Sequence, residues 1–207
     1  MVVRVRRFLL LMVFASAGLA HGDWLVFVPS GEKLPFQTGR SEVMWTATTS
    51  KDTTTTLGFG LTHEIEIDMT TETLDPRGTL ASFDTSYTFT DPVVNFLPGF
   101  TIGVQDAMNQ TATGRRFYIA TSYEVGLTGI YNGDSPMRLT VGAYTGGLNG
   151  PFVGVAIPFS RTFIGLAEHD SRNLTAGFQL KPTEDTYIEW LFKNNEVLWA
   201  AGFTMRF

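Results

Sequence analysis

After residue 36 the helical period almost vanishes from this chain, and apolar side chains return at every second position. The stretch "EIEID" at 64–68 and the closing "VLWAAGFTMRF" at 197–207 show it most plainly. Successive side chains of an extended strand point to opposite faces, so a period of two gives each strand one apolar and one polar face. The pattern predicts strands over 38–49, 54–60, 64–72, 78–89, 98–106, 115–124, 136–145, 151–158, 162–169, 172–181, 185–192 and 197–207. That is twelve, with ten the alternative count. Gly-, Pro-, Asn- and Asp-rich turns such as "TGGLNG" and "KPTED" separate them. No segment reads as a stable helix.

The two faces differ in kind. Trp45, Phe59, Phe83, Phe117, Phe178, Trp190 and Trp199 share the apolar face, which is rich in aromatic rings near strand ends. Arg40, Glu42, Glu64, Glu66, Asp68, Asp84, Arg138, Glu189 and Arg206 share the other. A soluble β-sandwich would also alternate, with its apolar faces meeting in a core. Carboxylates on neighbouring positions of one face suit instead a wet lumen of paired charges, and the aromatic ends suit the interfacial girdles of a membrane barrel. Strands of about 9–11 residues cross a bilayer when tilted, and closure into a barrel satisfies every backbone polar group without water. The expected fold is all-β: a transmembrane, antiparallel, up-and-down barrel over 38–207.

The N-terminus fits export. "RVRR" precedes the 13-residue apolar run "FLLLMVFASAGLA", which ends in small residues and is too short to span a bilayer. Residues 1–20 are expected to be a signal peptide cleaved after Ala20, and 21–37 a periplasmic or plugging segment. Cleavage removes Arg4, Arg6 and Arg7, leaving twelve basic residues against twenty acidic ones. An acidic exported chain without a basic patch does not suit nucleic acid. There is no cysteine, so neither disulfides nor a lipidated Cys is available. The expected location is the bacterial outer membrane, with its lipid as the surrounding partner.

Chains usually fray at their ends, yet here the alternation tightens toward a final Phe. In a closed barrel the last strand pairs with the first, so the terminus lies in the wall. The ending also resembles the recognition signal of outer-membrane barrels, which implies that the barrel assembly machinery reads Phe203, Met205 and Phe207. Short inner turns and longer outer loops are expected if both termini face the periplasm, although "TDPVVNFL" and "VGLTGIYNGDS" are long for inner turns.

The stretches "FTIGVQDAMNQTATGRRFYIATSYEVG", "LTVGAYTGGLNGPFVGVAIPF" and "IGLAEHDSRNLTAGFQLKP" resemble the YjbH-like outer-membrane proteins associated with exopolysaccharide. Glu168, Asp170, Asn173 and Gly177 match a Glu-Tyr-Asp strand end followed by an Asn and Gly strand, with His169 in place of the aromatic. The resemblance implies an envelope location and a link to polysaccharide or export components; it brings no catalytic residues.

Chemistry is sparse. His21 and His63 have no metal partner at a recognisable spacing, and Glu64, Glu66 and Asp68 lack the loop that calcium favours. No metal or cofactor is expected. His169 and Ser171, two apart, with Glu189 as an orienting carboxylate, form the one set that would suit acyl-ester hydrolysis. Outer-membrane lipid A deacylases resemble it in carrying a His-x-Ser pair. The competing reading is a polar hairpin loop, with Glu168, Asp170 and Arg172 at the rim. The expected function is therefore non-enzymatic: a structural barrel, or one accessory to exopolysaccharide export. A narrow channel for small solutes is the alternative, although residues 23–36 and charges of both signs could close so small a lumen.

Overall fold

The computed structural model describes residues 25–47, 52–74, 78–126 and 136–207. The expected signal peptide and residues 21–24 lie outside them. Twelve strands form a single ring: β1 (Thr38–Thr46), β2 (Thr53–Gly60), β3 (Ile65–Leu74), β4 (Gly78–Thr90), β5 (Gly99–Gln105), β6 (Arg116–Val125), β7 (Met137–Gly146), β8 (Gly150–Pro158), β9 (Phe163–His169), β10 (Leu174–Leu180), β11 (Thr186–Lys193) and β12 (Glu196–Arg206). Each pairs antiparallel with its sequence neighbours, and β12 closes on β1. The closing seam runs from Thr38↔Arg206 to Thr46↔Leu198. The fold is a closed, up-and-down, twelve-stranded transmembrane barrel.

Its facing follows the sequence period. Trp45, Phe59, Phe83, Phe117, Phe178, Trp190 and Trp199 all stand outward, Phe117 with 53% of its surface exposed. Rings pair across strands on this belt, Trp190 stacking on Trp199 and Phe163 on Phe178. Such exposure would be costly in water and is favourable in lipid. Inward positions carry Glu66, Ser82, Ser86, Thr101, Gln105, Ser122, Thr140, Glu168 and Glu189, all buried.

The rim that bears the termini solves three tight turns in one way. The hydroxyl of Thr62 accepts the N–H groups of Glu64 and Ile65. Ser160 does the same for Thr162 and Phe163, and Thr183 for Asp185 and Thr186. A short hydroxyl side chain thereby satisfies backbone donors that a reversing chain leaves open. At the opposite rim, Asn194 and Asn195 both adopt positive φ, 51° and 66°, the geometry of a two-residue hairpin turn matched to strand twist.

The expected division of loop lengths does not hold. The terminal rim carries the long connections 91–98 and 126–136, while the opposite rim has the short ones 147–149, 170–173 and 194–195. The longest described connection on that opposite rim, 106–115, is folded on Asp106. Its carboxylate accepts the N–H of Gln110 at 2.8 Å and of Thr111 at 2.7 Å, together with the Thr111 hydroxyl. Burial disfavours the charge, but these donors outweigh it and hold the Asp106 carboxyl below its usual range.

Candidate functional site

The lumen is divided between a strap and a cavity. Residues 25–36 run inside the barrel from the terminal rim toward the opposite one, held by side chains that five separate strands and one loop turn inward. Near the terminal rim, the N–H of Leu34 donates to Glu66 Oε2 at 2.6 Å, and Lys33 Nζ lies 2.8 Å from Asp91. Further in, Glu32 meets Arg138 at 2.6 Å. The N–H of Gly31 donates to Ser122 Oγ at 2.7 Å, and that hydroxyl also contacts Thr140. Deepest is Glu168 of β9, only 3% exposed. Its carboxylate gathers the N–H groups of Val26, Phe27 and Val28 at 2.9–3.3 Å. Lys193 sits 3.5 Å from the centroid of the Phe27 ring. Backbone N–H groups converging on a carboxylate form the same kind of concavity that binds free anions.

The wall is shaped for this passenger. A Cβ at Gly99 would collide with the backbone of Gly31, and one at Gly60 with that of Pro35. At Gly154 it would lie 2.5 Å from Leu25 Cδ2. Glycine therefore stands where the strap presses closest. Leu25 and Val28 also join an apolar cluster with Tyr118, Tyr144, Phe152, Leu166 and Leu191, all buried inside the barrel.

Beside the strap lies a cavity of about 400 Å³. Its lining reaches both rims: Arg138, Lys181 and Glu184 at the terminal end, and Glu72, Arg172 and Lys193 at the other. Between them stand Arg40, Glu42, Asp84, Tyr187 and Glu189. Arg40 is 3.0 Å from Asp68 and 3.7 Å from Glu66, Tyr187 donates its hydroxyl to Glu42, and Gln179 donates to Glu189 at 2.8 Å. Charges of both signs line the cavity in near-equal number.

The structure places Arg40, Glu42, Glu66, Asp68, Asp84, Arg138 and Glu189 inside the barrel. Three of the other expected positions need correction. Glu64 is exposed, because β3 begins one residue later and leaves it in the turn, where it accepts from Thr62 Oγ1. Arg206 ends β12 beyond the mouth and is exposed. Glu168 is not a rim residue but an inward anchor. Asp170 and Arg172 do lie at the rim; Asp170 accepts the N–H groups of Arg172 and Asn173 and faces Lys193 at 3.8 Å. These N–H donors, against the cost of burial, keep the Asp170 carboxyl below its usual range. Phe203 is half-buried, and Met205 and Phe207 are exposed. The N–H of Phe207 donates to the Gln37 carbonyl across the seam.

The Ser171–His169–Glu189 set is not assembled. His169 is exposed at the end of β9, while Glu189 is buried on the inner face of β11. The Ser171 hydroxyl donates to the Pro151 carbonyl, and His169 Nδ1 accepts the Ser171 backbone N–H instead. Among the described residues, no group of three or more His, Asp or Glu side chains is arranged to hold a metal ion.

No protein-family model matches the chain, and no curated protein matches it. Solved structures do. The KdgM porin superposes with a TM-score of 0.50, over 82% of this chain and 99% of the porin, at 10% sequence identity. The fold is that of an outer-membrane barrel. The KdgM porin in complex with disordered oligogalacturonate superposes with a TM-score of 0.51, with the same coverage and identity. At that identity the likeness concerns the path of the backbone, and the lumen side chains must be read on their own.

Proposed function

We propose that this outer-membrane barrel is a narrow passive channel for small solutes. The observation that carries the reading is the cavity of about 400 Å³ whose lining runs from one rim to the other beside the strap. With the strap filling part of so small a lumen, the remaining bore suits single small molecules rather than polymers. Its balanced charges predict weak ion selectivity, since a lumen dominated by neither sign concentrates neither counterion. The solved complex of the KdgM porin holds an acidic sugar oligomer. Here seven carboxylates and six basic side chains line the cavity, which suits neutral or zwitterionic solutes better than a polyanion.

Single-channel recording of the purified protein in planar bilayers tests this. Small, steady conductance steps with a reversal potential near zero in a salt gradient are expected. Membranes that stay silent after demonstrable insertion would sink the channel. The structural role, or one accessory to exopolysaccharide export as the resemblance to YjbH-like proteins implies, would then be the reading to pursue.

A further inference from the structure

We infer that the inner wall carries a built seat for an extended peptide, and that residues 25–36 are its removable occupant, so that the barrel has two bores. The inference rests on the channel reading above. Three observations carry it. The ring of strands is closed without the strap: every strand has two strand neighbours, so the barrel hydrogen-bond network is complete whether the lumen is filled or not. The seat is shaped in advance, with Gly99 and Gly154 on β5 and β8 leaving room that any side chain would fill. The strap is held by side-chain anchors such as Glu168 and Ser122 rather than as a thirteenth strand.

The seated state also carries a cost that release relieves. Glu32 Oε1 and Arg138 Nε are buried without a hydrogen-bond partner, and Glu66 Oε1 has Arg40 no nearer than 3.7 Å. Water entering the seat would satisfy all three, offsetting part of the ion pair and hydrogen bonds that departure breaks. Release is therefore a minor state, which an applied voltage or the loss of an anchor would populate. Backbone hydrogen bonds tie Gln37 to Gly60 and Phe207 and Pro35 to Thr38, so the strap would swing about Leu34.

The test compares the full chain with a form lacking residues 25–34, both shown to be inserted by a heat-dependent gel shift. Conductance of the shortened form is expected to be at least about twofold higher, because strap and cavity share one small cross-section. A synthetic peptide of sequence LVFVPSGEKL, added to the shortened channel, should bring it back toward the original value. Equal conductance of the two forms would overturn the removable occupant while leaving the channel standing. Silence of both would overturn channel and occupant together.

A second variant keeps the question answerable if the shortened form does not insert. Glu168→Ala in the full chain removes the carboxylate that gathers the N–H groups of Val26, Phe27 and Val28 and adds no volume to the seat. Under applied voltage this variant should show large openings at least about tenfold more often than the parent, by the conversion of roughly 1.4 kcal/mol per decade. Identical records of the two proteins would refute release of the strap.

Discussion

At the scale of single residues, one carboxylate does unusual work. Glu168 sits on an inward position of β9 and collects consecutive backbone donors from a segment about 140 positions away. A charged acceptor with several N–H donors is worth more than a neutral one, roughly 1.5–3 kcal/mol per hydrogen bond to charge. Glu168→Ala should therefore leave the barrel closed but free the deep end of the strap. Hydrogen exchange at Val26, Phe27 and Val28 is expected to accelerate at least about tenfold, by the conversion of roughly 1.4 kcal/mol per decade; unchanged exchange would show that apolar contacts alone seat it. Outside the wall the governing medium is lipid. Trp190 stands outward near the middle of β11, and Trp190→Arg should cost ~2–4 kcal/mol of insertion at the bilayer midplane. Refolding into lipid vesicles under urea titration reads that loss directly, and an unshifted titration would contradict the assigned facing.

At the scale of elements, loops and seam behave differently. The loop 106–115 hangs on the Asp106 carboxylate, whose folded pKa is lowered. A depressed carboxylate contributes stability above its unfolded pKa of about 3.9 and loses it as pH falls through the lower folded value. The loop should thus stay protected from protease down to about pH 4 and loosen only in stronger acid. Asp106→Asn should loosen it at neutral pH, and a loop equally protected in both proteins would refute the anchor. The seam depends on the chain end. Phe207 extends β12 to reach Gln37, and its ring lies 3.2 Å from where a Gly39 Cβ would be. Deleting Phe207 should slow assembly in the outer membrane, measured by pulse-labelling of the heat-shifted form; an unchanged rate would remove the terminal residue from the recognition signal.

The alternation made most of this legible before any coordinates. Strands, facing and the lipid belt follow from local period alone, because a strand must turn alternate residues to opposite faces. Glu64 and Arg206 had the right parity and the wrong depth: parity says which way a side chain points, not where the strand stops. Glu168 differs in another way: the strand expected over 162–169 does end at His169 and turns Glu168 inward, but the adjacent Asp170 and Arg172 suggest a rim ion pair. Tyr118, Tyr144 and Phe152, aromatic and inward, ran against the expectation of a polar lumen. Parity turns them inward, but nothing in a period of two says that an inward residue will pack against a strap rather than line water.

At the scale of the whole molecule, a ring with no free edge predicts unusual resistance. The purified protein should migrate faster on a detergent gel unheated than after boiling, and coincident bands would speak against closure. The wall is written in the chain itself: a period of two over twelve segments, with one face aromatic and the other charged, suits a closed sheet with one face to lipid. The contents of the lumen are not written there. The strap at 25–36 has no period to read, and its anchors at 66, 122, 138 and 168 are scattered along the chain. They become one site only when closure curls the sheet and brings its inward side chains around a common axis.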